Sequence, residues 1–160
     1  MVTIAYIEQI FRRRGWRYQV DDDGDILTYW NGVPIYIVAN PQEGVSLFTR
    51  VHTAANARSA NARAGDIETF LDAVNGILRD GAFDYNSDLA TSFYWTSAYL
   101  NGGTHDEQAL AEAIERVVAV VKAFGPLIAS LMDGQMTLQQ AVAIVRAALS
   151  DDGQGGSNVA

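Results

Sequence analysis

Asp21, Asp22, Asp23 and Asp25 crowd around Gly24, the densest run of metal-ligating side chains in the chain. A calcium loop of the EF-hand type needs its glycine at the sixth position and a bidentate glutamate at the twelfth. With Gly24 in that place the first ligand is Gln19 and the last is Trp30, and neither can serve. Asp and Gly also supply tight-turn geometry unaided. The run is therefore expected to be a hairpin turn rather than a metal site, with weak surface cation binding as the lesser reading.

His52 and His105 are the natural general bases. His52 closes a β-prone run with no nucleophile pattern beside it. His105 falls in the first turn of a helix, where the positive end of the dipole disfavours an imidazolium. Neither belongs to a metal spacing such as HExxH, and the chain contains no GxGxxG, GxxxxGKS/T or GxSxG. Gly102-Gly103 precedes a helix start, which is anion-binding geometry, but Asp106 and Glu107 already occupy that end. The basic run Arg12-Arg13-Arg14 with Arg17 stands in a chain of net charge −8. Nucleic-acid affinity comes mostly from Lys and Arg neutralising phosphates, so this run reads as a solvated helix end and no direct nucleic-acid binding is expected. There is no cysteine. Disulfides, thiol catalysis and cysteine-ligated metals are excluded, and the composition fits a reducing compartment. No catalytic residue, cofactor or metal is expected.

The elements that would position a site follow from periodicity. Ile4, Ile7, Ile10 and Phe11 recur at helical spacing between Thr3, an N-cap, and Gly15, a stop. Strands are predicted over Trp16–Val20, Ile26–Trp30, Val33–Ala39 and Val45–His52. Asn31-Gly32 is the strongest hairpin signal, because both central residues must adopt positive φ, and Pro41 to Gly44 makes a further turn. The near-duplicate ANAR-S-ANAR in residues 53–65 reads as a linker or loose helical turn. A helix starts at Asp66 and carries Ile67, Phe70, Leu71 and Val74 on one face towards Gly81. A second hairpin, Ala82–Tyr85 with Thr91–Leu100, turns at Asn86-Ser87-Asp88. Thr104 with Glu107 forms a capping box for the longest helix, which Gly125-Pro126 either kinks or divides. A second box, Thr137 with Gln140, starts a final helix to Leu149. Blocks of strands and helices, rather than strict alternation, predict an α+β fold with an antiparallel sheet of about five strands packed by helices on one side. One domain is expected over 1–149, with an added helix 137–149 and a disordered tail 150–160. The longest apolar stretch is too short and too interrupted to span a bilayer, and the N-terminus lacks a signal-peptide pattern. A cytoplasmic protein without membrane contact is expected.

The strands are unusually aromatic. A two-residue turn at Asn31-Gly32 sets Trp30 opposite Val33, Thr28 opposite Ile35 and Ile26 opposite Ile37 on one face. Leu27, Tyr29, Tyr36 and Val38 take the other, with Pro34. Both faces are apolar, whereas a sheet with one wet side alternates more cleanly. One face is therefore expected to meet another polypeptide or a second copy, through Leu27, Tyr29 and Tyr36, with Phe48 alongside. A free sheet edge would add strand pairing.

The stretches "GWRYQVDDDGDILTYWNGVPIYIV", "FLDAVNGILRDGAFDY" and "NGGTHDEQALAEAIERVVAVVKAFGPLI" resemble the YbjN-like bacterial family across Val2 to Leu131. The marks are an aromatic strand before an acidic turn, a short helix containing Asn75, Phe83 and Tyr85 in one strand, a glycine pair and a long final helix. The resemblance implies a fold similar to type III secretion chaperones: a twisted antiparallel sheet with helices, usually dimeric, binding partner polypeptides without nucleotide. It also implies a part in bacterial regulation and stress responses. No functional residue transfers by position. The ANAR-S-ANAR segment and the helix 137–149 exceed the family pattern. The expected function is a non-enzymatic, chaperone-like adaptor or regulator, homodimeric. The alternative is a small-molecule sensor or enzyme using an acidic or histidine pocket.

Overall fold

The computed structural model describes residues 2–40, 42 and 44–155. Among these, helix α1 (Ile4–Arg14) leads into strands β1 (Gln19–Val20), β2 (Ile26–Trp30), β3 (Val33–Asn40) and β4 (Gly44–Thr53). Helices α2 (Ala57–Ala62) and α3 (Ala64–Asn75) follow, then β5 (Ala82–Asn86) and β6 (Thr91–Ala98), and finally α4 (Asp106–Met132) and α5 (Leu138–Gly155). Six strands form one antiparallel sheet in the order β1-β2-β3-β4-β6-β5. The α+β architecture is the expected one, with six strands where about five were counted.

The Asn31-Gly32 turn produces the expected register, pairing Ile26 with Ile37, Thr28 with Ile35 and Trp30 with Val33. Asn31 (φ 51°) and Gly32 (φ 81°) both take the left-handed conformation that a two-residue hairpin requires. Ile26, Ile35, Ile37 and Leu47 point to one face and are fully buried, as is Tyr94 of β6. Against them pack α1 through Ile7 and Phe11, and α4 through Ile114 and Val117. Burying side chains of this size contributes roughly 1.5–3 kcal/mol each before the entropy of ordering is subtracted. α3 lies over β5 at the sheet's margin.

Thr3 caps α1, its hydroxyl accepting the Tyr6 N–H (3.2 Å), and Gly15 closes the helix at φ 66°. The Thr137–Gln140 box forms reciprocally, at 2.9 and 3.1 Å. The other box does not form. α4 begins at Asp106, His105 makes no side-chain capping bond, and Glu107 instead binds Arg13 (2.7 Å). The buried Asp106 carboxylate accepts the N–H groups of Asn101 (3.2 Å) and Gly102 (2.7 Å), and the Tyr6 hydroxyl (2.8 Å). A carboxylate takes backbone donors more strongly than a threonine hydroxyl can, so the loop folds back onto the first helical residue. Burial, and then the bond to Asp106, push the Tyr6 phenol up from its ordinary pKa.

Five boundaries differ from expectation, one being the end of α3, which stops at Asn75 rather than near Gly81. The first strand is only Gln19–Val20, because Trp16 and Tyr18 set their rings edge-on to Phe11 at 5.2 and 5.3 Å. There the Thr28 hydroxyl donates to the Arg17 carbonyl (2.8 Å). The alanine-rich 53–65 segment is mostly helical: Asn56 caps α2 through the Ser59 N–H (2.9 Å), and α3 starts at Ala64 rather than Asp66. α4 runs unbroken through Pro126; a Cβ at Gly125 would stand 3.5 Å from Val51 of β4, so the helix lies close on the strand there. α5 continues to Gly155, six residues past Leu149, over part of the segment expected to be disordered. The remainder of that tail, 156–160, lies outside the described residues. So do residues 41 and 43 of the turn expected at 41–44, where the Asn40 side chain accepts the Gln42 N–H (3.1 Å).

Strand β5 is an edge of the sheet, and three of its backbone groups are closed by side chains. The Asn75 amide donates to the Phe83 carbonyl (2.9 Å) and accepts the Phe83 N–H (2.7 Å), pairing as a strand would. The Tyr85 N–H goes to the Asp84 carboxylate (2.8 Å). Asn75→Ala leaves two backbone groups of a half-buried edge without these partners. It is expected to destabilise the fold by about 1–3 kcal/mol, read as a lower urea midpoint with an unchanged slope.

Candidate polypeptide-binding face of the sheet

α1 and α4 cover one face of the sheet. The opposite face carries one row directly across all six strands: Gln19, Leu27, Tyr36, Phe48, Trp95 and Ala82 are successive Cα partners. Tyr36 and Phe48 stack at 5.0 Å with their planes 10° apart. A second row holds Tyr29 with Pro34 on one side, and Arg50, Phe93 and Asp84 on the other. Tyr29 is 64% exposed and Trp95 51%, while Tyr36, Phe48 and Phe93 are half-buried by their cross-strand neighbours.

The four residues expected to bind a partner thus lie on one surface, but not in equal standing. Tyr29 is the exposed one of the four, and Tyr36 and Phe48 form a flat aromatic floor. Leu27 is only 7% exposed and cannot be an anchor that projects. It lies instead with Arg17, Gln19 and Tyr29 around a cleft of about 430 Å³. Trp95 was not singled out, although alternation through Phe93-Tyr94-Trp95 and a buried Tyr94 place it outward. Its strand's pairing with β4 is a long-range fact that local patterning does not contain.

The groups with potential for chemistry are engaged elsewhere. The Asp21 carboxylate accepts the N–H groups of Asp23 (3.0 Å) and Asp25 (2.9 Å), and Gly24 turns the chain at φ 86°. The acidic run is a self-capped turn. Burial, with Asp21 and Asp23 nearby, raises the Asp25 pKa from its ordinary value. Among the described residues no group of three or more His, Asp or Glu is arranged to hold a metal ion. The backbone ahead of α4 is closed by Asp106. Arg12 binds Glu8 (3.3 Å) and Tyr18 (3.1 Å), Arg13 binds Glu107, and Arg14 lies 5.1 Å over the Trp16 ring. Only Arg17 of that run lines the cleft beside Tyr29. His52 Nε2 lies 2.8 Å from Asp133 Oδ2, fastening β4 to the end of α4, and His105 is exposed.

The described residues form a six-stranded antiparallel sheet with helices packed on one face and an aromatic surface on the other. The family whose model matches residues 3–130 is YbjN, described as "putative bacterial sensory transduction regulator", and the chain belongs to it. The match stops just inside the end of α4, so α5 lies beyond it. No curated protein matches the chain. No helix among the described residues is long and apolar enough to cross a membrane.

Neighbouring residues on opposite faces should respond oppositely to truncation. Tyr94→Ala opens a cavity in the core and is expected to cost about 3–5 kcal/mol. Trp95→Ala removes only cross-strand surface contacts and should cost about 1 kcal/mol or less, both measured by chemical denaturation. The Ala55 N–H (3.0 Å) and, after it, His52 hold the Asp133 carboxyl below its usual pKa against the opposing effect of burial. A depressed carboxylate stabilises the fold above its unfolded pKa and loses that contribution as pH falls through the folded value. Asp133→Asn should therefore be less stable than wild type at neutral pH by roughly 1 kcal/mol, with the gap closing below about pH 4 in melts across a pH series.

Proposed function

We propose that this protein is a non-enzymatic, chaperone-like regulator that acts by binding another polypeptide on the aromatic face of its sheet. The observation that carries the reading is the row Leu27–Tyr36–Phe48–Trp95, which runs across four strands on the face opposite the helices. Contiguous apolar surface of this kind marks an interaction site, and tyrosine and tryptophan combine a large apolar body with a polar tip suited to it. Docking on the face is favoured over adding a strand. β1 offers two residues, and the β5 edge is closed by Asn75 and Asp84. The family's description as a regulator, which names no reaction, supports the same reading. So does the engagement of His52 and Asp21 in holding the fold. The absence of cysteine agrees with work in the cytoplasm.

The test is affinity capture from the cell of origin with the tagged wild type and with the Tyr29→Ala/Tyr36→Ala variant. The double variant, shown by circular dichroism to be folded, is expected to lose the polypeptides that the wild type recovers. Equal recovery by both would remove the sheet face from the function.

A further inference from the structure

Two cations interrupt the apolar outer face. Arg17 and Arg50 are both exposed, and among the described residues neither guanidinium has a hydrogen-bond or ion-pair partner. Arg12, Arg13 and Arg116, by contrast, are tied to Glu8, Glu107 and Asp80. In a chain of net charge −8, two free arginines on the aromatic face reverse the sign of the charge locally. They also stand in line. Arg17 shares the cleft with Tyr29, and Tyr29 pairs with Pro34. The β3–β4 register, continued by two residues, sets Pro34 beside Arg50. Three strand spacings, about 14 Å, separate the two arginines.

Resting on the reading of this face as a polypeptide-binding surface, we infer that its occupant is an extended acidic segment of another protein. The segment carries two carboxylates four residues apart, with apolar side chains at the alternate positions. In an extended chain such a pair is about 14 Å apart, the separation of the two arginines. A helix with the same spacing sets them only about 6 Å apart. Lying across the strands, the segment gives one carboxylate to Arg17 and the other to Arg50. Its alternate side chains point the other way, to the neighbouring row about 7 Å off. The first enters the 430 Å³ cleft over Leu27. The next rests on Tyr36, and the one beyond the second carboxylate falls between Phe48 and Trp95.

Charge also sets where the segment stops. Beyond Arg50 the same row continues through Phe93 to Asp84, which repels a further carboxylate and confines the acidic pair to the β1–β4 half. Complementary charges of this kind select a partner and its register more than they add affinity. The aromatic row supplies the apolar contact. Single-stranded nucleic acid would also bring anions and flat rings to such a face. Its charge repeats at every nucleotide, however, and a face with two arginines on an acidic chain suits a ligand charged at two points.

Fluorescence anisotropy at low salt tests this with a labelled peptide, Asp-Leu-Ser-Leu-Asp-Leu between Gly-Ser flanks. Its companions have both Asp residues changed to Asn, both changed to Lys, or the two Asp residues placed side by side, and a short oligothymidylate is the nucleic-acid probe. The wild type is expected to bind the spaced Asp peptide about tenfold or more tightly than the Asn peptide. Arg17→Glu and Arg50→Glu, each with native circular dichroism, should each lose about tenfold for the Asp peptide. The double reversal should prefer the Lys peptide. Equal affinity for the Asp and Asn peptides, equal affinity for spaced and adjacent Asp pairs, or no binding of any peptide overturns the inference. Tighter binding of the oligothymidylate overturns it too and assigns the face to nucleic acid. Affinity capture separates this inference from the reading it rests on. Recovery that needs Tyr29 and Tyr36 but is unchanged in Arg17→Glu/Arg50→Glu overturns the acidic specificity and leaves the proposed function standing.

Discussion

A β-strand sends successive side chains to opposite sides, and a single layer of helices can cover only one of them. In this chain α1 and the 27-residue α4 lie across the face formed by Ile26, Ile35, Ile37, Leu47 and Tyr94. That contact sets the rest of the molecule. It fixes the register of every strand, because a slip by one residue would exchange Ile37 for Val38 and Tyr94 for Trp95 in the core. It also turns Tyr29, Tyr36, Phe48 and Trp95 outward, where no second helical layer among the described residues meets them. The aromatic surface is thus a consequence of how the core is filled.

Polar contacts fasten the helices to the sheet at particular points. Asp106 gathers Tyr6 of α1, the 101–102 backbone and the start of α4 into one cluster. Asp133 joins the far end of α4 to His52 and to the Ala55 N–H. Arg63 donates to the Met132 carbonyl at the same helix end. These are the side chains that a search for catalysis would examine first, and each is occupied in holding two segments together. Buried polar groups are costly unless hydrogen-bonded, and among these side chains the buried Nε of Arg63 alone lacks a partner. The residues with the strongest chemical potential therefore became structural, and the weakly polar aromatics were left at the surface.

The edges follow a related logic. An unpaired strand edge is a template for any passing chain. Here one edge strand is two residues long and the other is closed by Asn75 and Asp84. Both edges are thus restricted, while the aromatic face stays open to solvent at Tyr29 and Trp95. Asn75 stood out in the sequence only as a mark of resemblance. Its work, an amide standing in for a strand at Phe83, depends on α3 and β5 lying side by side.

Much of the fold was legible locally. The Asn31-Gly32 hairpin, the Thr3 and Thr137 caps, the Gly15 stop and the acidic turn each follow from backbone preferences within a few residues, and so they formed as expected. The aromatic character of Tyr29, Tyr36 and Phe48 was legible for the same reason, since alternation along a known hairpin assigns faces. The failures were at places where distant partners compete. Glu107 left its capping box for Arg13, Leu27 sank beneath its neighbours, and the first strand gave up residues to the packing of Trp16 and Tyr18 on Phe11. The sequence by itself determined which side chains share a face, because that depends only on the two-residue period. Only the tertiary structure decided which face was covered and that Trp95 aligns with Leu27 across four strands, because β4 meets β6 through a chain reversal that no local pattern encodes.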